Sequence, residues 1–147
     1  MDFLKTQNFV MDYIRDNYGG YLSEFNIEPP FITSEFIDFD RFKKKFVCFV
    51  DFESSTFSVA DRYNDDCSKT EKSTINIFLA FREDTPTNLN DRMLNATTAF
   101  YNMNKEKRIS NIISSNINRV DFFKYIEGNN NIFSSKLTIE LFIEEYN

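Results

Sequence analysis

The segment Thr74–Leu94, TINIFLAFREDTPTNLNDRML, contains the change of pattern that decides the fold. In its first half apolar residues alternate with other residues, and this period of two is typical of a strand with one buried face. In its second half apolar residues recur every three or four positions, as on one face of a helix. The segment therefore predicts a strand over 74–82 and a helix that starts at Thr85–Pro86 or Thr87. The residues predicted to face the core are Ile75, Ile77, Leu79, Phe81, Leu89, Met93, Ala96, Phe100 and Met103.

The chain before this segment predicts a first helix and an apolar arm. Helical spacing over residues 3–18 is followed by Gly19–Gly20, which we expect to end the helix. Residues 21–45 contain Pro29–Pro30, which excludes a regular helix there, yet they are too apolar for a disordered linker. We expect an ordered arm that packs over the core and contributes an edge strand.

The remaining elements are predicted to be strands. Residues 46–52 are apolar on both faces, a turn at 54–56 leads to a second strand over 57–61, and 63–72 form a polar loop. Two closing strands are expected at 119–127 and 136–147, while 104–118 show no clear pattern. The order of helix, three strands, helix and two strands predicts an α+β domain. It has two layers, a mostly antiparallel sheet and both helices packed on one face. We expect a single domain over 1–147.

The absence of histidine excludes several classes of enzyme. The chain has no residue for Ser-His-Asp or Cys-His catalysis and none for histidine-ligated zinc. Its two cysteines cannot form a four-thiolate site, and its three glycines form neither a phosphate-binding loop nor a dinucleotide fingerprint. We therefore expect no catalytic residue, no cofactor and no metal.

The acidic balance bears on the partners. A net charge of −6 argues against duplex DNA binding by phosphate neutralisation and against anionic membranes. The N-terminal residues do not resemble a secretory signal, and no apolar run is long enough to span a membrane, so we expect a soluble protein of the cytoplasm. Cys48 and Cys67 are then expected to be free thiols, Cys48 as a small buried hydrophobe. A disulfide or a shared metal is the alternative.

Two charged clusters could hold ions. Asp61, Asp65, Asp66 and Glu71 surround the polar loop and could bind Mg²⁺ or Ca²⁺, but the spacing lacks the calcium-loop pattern. We interpret them as a solvated acidic hairpin tip. Lys43–Lys45 could bind an anion, although a solvated basic patch explains the same residues.

Phe78 and Phe142 are candidates for a contact with another protein. Both fall on the nominally outward side of a strand. If they are adjacent on an open sheet face, they form a subunit contact, because exposed aromatic residues commonly anchor such surfaces. Local packing or cover by the 21–45 arm is the alternative.

The order of elements resembles a known family. After the N-terminal helix and the proline-marked arm come a β-hairpin with a long polar tip and the strand INIFLAF (75–81). The turn and helix start TPTNLNDRML (85–94) and the closing strands INRVDFFKYIE (117–127) and SKLTIELFIEEY (135–146) follow. This series, over residues 3–146, is similar to the tail terminator (tail completion) proteins of long-tailed bacteriophages and related prophage particles. The family has no invariant binding motif, so no functional residue is transferred.

The resemblance implies a non-enzymatic structural protein. Tail terminators form a ring, usually a hexamer, that caps the tail tube and joins it to the head connector, first in the host cytoplasm and then in the virion. The acidic chain would suit a lumen that passes DNA without binding it. Asp65, Asp66 and Glu71 would then reach a neighbouring subunit. The competing hypothesis is a small acidic inhibitor or immunity protein that binds a basic toxin.

Overall fold

A five-stranded sheet and two helices form the part of the chain that the computed structural model describes, which comprises residues 2–35, 44–59, 69–109, 112 and 114–145. The elements, in chain order, are α1 (Phe3–Leu22), a 3-10 turn (Ser23–Phe25), β1 (Phe31–Thr33), β2 (Phe46–Val59), β3 (Lys69–Glu83), α2 (Leu89–Glu106), β4 (Ser114–Glu127) and β5 (Asn130–Glu145).

The strands lie in the order β1-β2-β3-β5-β4. β1 runs parallel to β2, and the β2–β3, β3–β5 and β5–β4 pairs are antiparallel. The last strand of the chain therefore lies between β3 and β4, and β4 is at one end of the sheet. This confirms the predicted α+β class with a mixed, mostly antiparallel sheet.

The main core cluster contains buried residues of both helices and of the central strands. The alternating residues of β3 that were predicted to be buried, Ile75, Ile77, Leu79 and Phe81, all belong to it. The predicted core residues of α2 belong to it as well, namely Leu89, Met93, Ala96, Phe100 and Met103. This confirms the strand pattern predicted for the first half of Thr74–Leu94 and the helical pattern predicted for its second half.

Two tyrosines of α1 connect this helix to α2. The Tyr18 hydroxyl donates to the Ala96 carbonyl at 2.6 Å, and its ring meets that of Phe100 edge-on with centroids 5.3 Å apart. The Tyr13 hydroxyl lies 3.1 Å from the Met103 carbonyl. Burial raises the pKa of Tyr18 well above its usual value, so it stays a neutral donor. These hydrogen bonds allow polar groups to lie between the helices without loss of stability.

The first helix is longer than predicted. It continues through Gly19 and Gly20 to Leu22, and the chain turns only at Asn26, whose φ of 58° is left-handed. Leu22 is completely buried. Burial of its side chain contributes about 1.5–3 kcal/mol, which offsets the roughly 1–2 kcal/mol that the two glycines together cost in a helix.

The predicted turn at 54–56 is wrong. Residues 46–59 form one strand that pairs with β3 along its whole length, with an irregularity between Phe52 and Ser54. The irregularity changes which residues face the core, and this change disturbs the alternation that the sequence prediction relied on. The third strand before α2 is instead β1, the edge strand expected in the 21–45 arm, of which 36–43 lie outside the described residues.

The helix α2 begins later than predicted. Its N-cap is Asn88, with a φ of 62°, rather than a threonine, and the Leu89 amide donates to the Pro86 carbonyl within the preceding turn. Asparagine tolerates this left-handed conformation better than threonine does.

The closing strands are longer than predicted. β4 begins at Ser114 rather than at 119, and β5 begins at Asn130 rather than at 136. The connection contains Gly128, whose φ of 59° suits a residue without a side chain. The alternating residues Leu137, Ile139, Leu141 and Ile143 are buried as predicted.

Candidate functional site

The β4 edge is the largest exposed apolar feature among the described strands. β4 ends the sheet order, and within the described residues only β5 pairs with it. Its second half carries four exposed large apolar residues, of which Ile126 is 75% exposed. They are Phe122, Phe123, Tyr125 and Ile126.

These residues lie on both faces of the sheet. Because side chains alternate along a strand, Phe122 and Ile126 share one face, and Phe123 and Tyr125 share the other. The pairing of β4 with β5 is regular from Arg119 to Glu127, after an irregularity between Ile117 and Arg119. The apolar residues therefore occupy a regular strand segment at a sheet edge.

Charged side chains surround this segment. Arg119 Nε donates to Asp121 Oδ1 at 2.9 Å, and Lys124 Nζ lies 5.0 Å from the centre of the Phe133 ring. Partial burial, with a smaller contribution from the negative charge of Glu127, raises the pKa of Tyr125. Tyr125 therefore remains neutral at physiological pH.

Two further exposed apolar surfaces lie on the helices. At the start of α1, Phe3 and Leu4 are exposed, and with Phe52 of β2 they line a hollow of about 500 Å³. The Phe3 and Phe52 rings meet edge-on with centroids 6.3 Å apart. On α2, Leu94 and Tyr101 are exposed and lie seven positions apart, so they share one face of the helix.

Phe78 packs locally. Its ring lies 5.8 Å from that of Phe49 on β2, and Lys136 Nζ of β5 lies 5.9 Å from its centre. The side chain is half-buried. The alternative interpretation of local packing therefore describes this residue better than an open contact does.

Phe142 is also half-buried, and it is not adjacent to Phe78. Phe78 pairs with Lys136, whereas Phe142 pairs with Lys72. Residues 136 and 142 of the same strand are about 20 Å apart. The structure does not bring the two phenylalanines together, so the condition for a shared contact surface is not met.

The interpretation of Glu71 as part of a solvated tip is wrong. β3 begins at Lys69, so Glu71 lies within a strand, where it is only 1% exposed. Ser73 Oγ lies 3.0 Å from Glu71 Oε1 and donates to it, and Ser55 Oγ lies 2.7 Å from Ser73 Oγ. Asp65 and Asp66 lie outside the described residues. Within the described chain, no group of three acidic or cysteine side chains could hold a metal ion.

Lys45 of the basic run belongs to an ion-pair cluster. Lys45 pairs with Glu83 at 3.3 Å, and Arg92 pairs with the same carboxylate at 2.9 Å. Burial raises the pKa of Glu83, but hydrogen bonds and charges from Arg92 and Lys45 outweigh this and keep it below its usual value. The adjoining groove of about 770 Å³ is lined by Lys44, Lys45 and Arg92, and Glu83 partly neutralises the charge of the last two. Lys43 lies outside the described residues.

Cys48 is a buried free cysteine, as predicted. Burial raises the pKa of its thiol, which makes it a poor nucleophile and a poor metal ligand. Cys67 lies outside the described residues.

Comparison with known proteins adds no family. No protein-family model matches the chain, and no curated protein matches it. Neither helix described by the structure is long and apolar enough to cross a membrane.

The β4 edge is not among the contact surfaces predicted from the sequence, although its adjacent aromatic residues are visible there. The adjacent Phe122 and Phe123 place aromatic residues on both faces of one strand, which is typical of a central strand. Here the strand is terminal, so these side chains are left exposed. Only the strand order distinguishes the two cases.

Proposed function

We propose that this chain is a non-enzymatic structural protein of a phage or prophage particle, similar in function to a tail terminator. Copies of the chain assemble into a ring that caps the tail tube and joins it to the head connector. The alternative is a small acidic inhibitor that binds a basic toxin.

The observation that carries this proposal is the presence of three separate exposed apolar surfaces among the residues that the structure describes. They lie at the start of α1, on the outer face of α2 and along the β4 edge. A ring subunit contacts a neighbour on each side and further proteins above and below, so it needs several such surfaces. An inhibitor that captures one toxin needs a single interface.

The polar residues also favour a structural role. The chain contains no histidine, and Cys48 is buried with a raised thiol pKa. Buried hydroxyls are used for packing: Thr97 Oγ1 lies 2.7 Å from Ser135 Oγ and donates to the Met93 carbonyl. These groups hold α2 on the sheet.

Native mass spectrometry and electron microscopy of the purified protein test ring formation. We expect closed rings with a central channel. Tyr101→Glu should weaken them, because it places a charge on the exposed face of α2, whereas Thr85→Glu adds the same charge in an exposed turn and should not. If Tyr101→Glu has no effect but rings form, the α2 surface does not contribute to the ring.

The tail role needs a second measurement. Tubes assembled from the tail tube protein of the same genome are mixed with the purified chain and imaged. We expect density at one end of each tube. A chain that stays monomeric or dimeric and forms a one-to-one complex with a basic toxin would support the inhibitor instead.

A further inference from the structure

The β4 edge has features that most proteins avoid. An edge strand exposes a row of backbone N–H and C=O groups, and native proteins usually protect it with prolines, charges or irregularities. The segment Arg119–Glu127 is regular, contains no proline and exposes apolar side chains on both faces, and its four charged residues comprise two of each sign. Such an edge is suited to receive another strand.

Symmetry limits how two copies of this edge can pair. A two-fold axis perpendicular to the sheet makes the two β4 strands antiparallel and keeps each face of the sheet on the same side. Directly opposed residues must then lie on the same face of the sheet. In every allowed register, the residue at the centre therefore lies opposite the same residue of the other copy. A centre at Asp121 or Lys124 places like charges against each other, which is unfavourable.

A centre at Phe123 gives complementary pairs throughout. Arg119 of each copy lies opposite Glu127 of the other, and Val120 lies opposite Ile126. At the middle, the two Phe123 rings meet. Between these pairs, Phe122 lies opposite Lys124 and Asp121 opposite Tyr125, which places a cation near an aromatic ring and a carboxylate near a phenol.

The length of the regular segment selects the same centre. Phe123 is the midpoint of Arg119–Glu127, so this register uses every residue between the irregularity at one end and the Gly128 turn at the other. A centre at Val120 or Phe122 would extend across the irregularity and place Ile126, the most exposed residue of the set, opposite Ser114 or Asn118.

We propose that β4 of one copy pairs with β4 of a second copy in antiparallel orientation, with Phe123 opposite Phe123. The two sheets join into one ten-stranded sheet. Each exposed apolar residue of β4 then gains a neighbour across the interface.

This pairing is distinct from the ring. A ring joins its subunits head to tail, whereas β4 pairing joins two copies through the same surface on each. A protein that does both stacks two rings against each other when the two-fold axis crosses the ring axis at a right angle. The pairing can therefore be correct when the proposed ring is not, and the reverse.

Cross-linking of single-cysteine variants tests the register. In a Cys67→Ser background, Phe123→Cys places two thiols opposite each other, with Cα atoms about 4.5–5.5 Å apart, a separation that a disulfide spans. Tyr125→Cys is the matched control, because Tyr125 is 47% exposed and Phe123 is 44% exposed on the same face. Its two copies would be about 13 Å apart.

We expect covalent dimers from Phe123→Cys under mild oxidation and few from Tyr125→Cys. Equal cross-linking of both variants, or none from either, would overturn the proposed register. Cys48 is buried and should not contribute.

Sedimentation of non-covalent variants tests the same contact. Phe123→Lys places two positive charges at the centre and should raise the dimer dissociation constant about tenfold or more. Thr85→Lys adds the same charge in the exposed turn before α2 and should leave the dissociation constant unchanged. Circular dichroism confirms that both variants fold. Unchanged dimerisation of a folded Phe123→Lys variant would contradict the pairing, and dimers without rings would contradict only the proposed function.

Discussion

Among the described residues, Glu71 has a buried side-chain oxygen that no hydrogen bond satisfies. Ser73 donates to Oε1, while Oε2 is buried without a hydrogen-bond partner. A buried polar atom in this state costs about 1–3 kcal/mol. The hydroxyl groups of Ser55 and Ser73 form a hydrogen bond with each other, so the carboxylate is not their only hydrogen-bond partner.

We therefore predict that Glu71→Met stabilises the fold. Methionine fills a similar volume without a polar atom, so the free energy of unfolding should rise by about 1 kcal/mol. Urea denaturation measures the change, and Glu53→Met, at an exposed position of β2, should have little effect. A loss of stability in Glu71→Met would mean that the carboxylate makes a favourable interaction.

Glu83 should make stability depend on acid pH. Arg92 and Lys45 lower its folded pKa, so its contribution is fully present above the unfolded pKa of about 4.3 and is lost as the pH falls through the folded value. Glu83→Gln should cost roughly 1 kcal/mol or less near pH 7, because Lys45 is largely exposed.

Denaturation at several pH values checks this prediction. The difference in unfolding free energy between the wild type and Glu83→Gln should be constant above about pH 5 and should shrink below about pH 4. Glu53→Gln removes an exposed carboxylate and serves as the control. A difference that stays constant down to pH 2 would show that the ion pairs do not contribute.

Among the elements, α1 has an unusual composition for its final turn. Gly19 and Gly20 both lie inside the helix, and each costs about 1 kcal/mol relative to alanine. A Cβ atom at Gly20 would meet no atom within 4 Å beyond the adjoining helix backbone, whereas one at Gly19 would lie 3.3 Å from Cγ of Pro29. Only Gly20 therefore has room for a side chain.

We predict that Gly20→Ala raises the free energy of unfolding by about 0.5–1 kcal/mol. Gly19→Ala should gain less, because its methyl group would press on the Pro29 ring. Thermal unfolding of the two variants compares them directly. An equal gain at both positions would mean that the proline ring moves aside at no cost.

Elements with one uninterrupted pattern were predictable from the sequence. The alternation of β3 and the helical spacing of α2 each match a single buried face, so Ile77 and Met93 were assigned correctly. The end of α1 was not predictable, because burial of Leu22 outweighs the local effect of the glycines. The course of β2 was not predictable either, because pairing along β3 outweighs the turn preference of the serines.

At the scale of the whole molecule, the order of strands in the sheet could not be predicted from the sequence. β5 pairs with both β3 and β4, so the strand that precedes it in the chain becomes the edge. The exposure of Phe123, and with it the candidate surface, follows from this order. Local pattern cannot supply it, because a central strand and an edge strand with apolar residues on both faces look the same in sequence.

The distribution of charge leads to the last prediction, that the protein does not bind duplex DNA. The net charge is −6, and the ion pairs of the described residues combine basic groups with neighbouring acids, as in Arg15–Asp12 and Lys72–Glu140. Phosphate neutralisation requires a continuous basic surface, and these pairs spread the positive charge among acids.

Fluorescence anisotropy with a labelled DNA duplex measures binding to the protein at about 50 mM salt, a low salt concentration that favours electrostatic binding. We expect no change up to about 100 μM protein, a concentration at which even typical non-specific binding would be detected. A rise that weakens steeply with added salt would reveal a basic surface. It would also contradict a ring whose lumen lets DNA pass without holding it, because like charges repel the phosphate backbone only if the lumen is acidic.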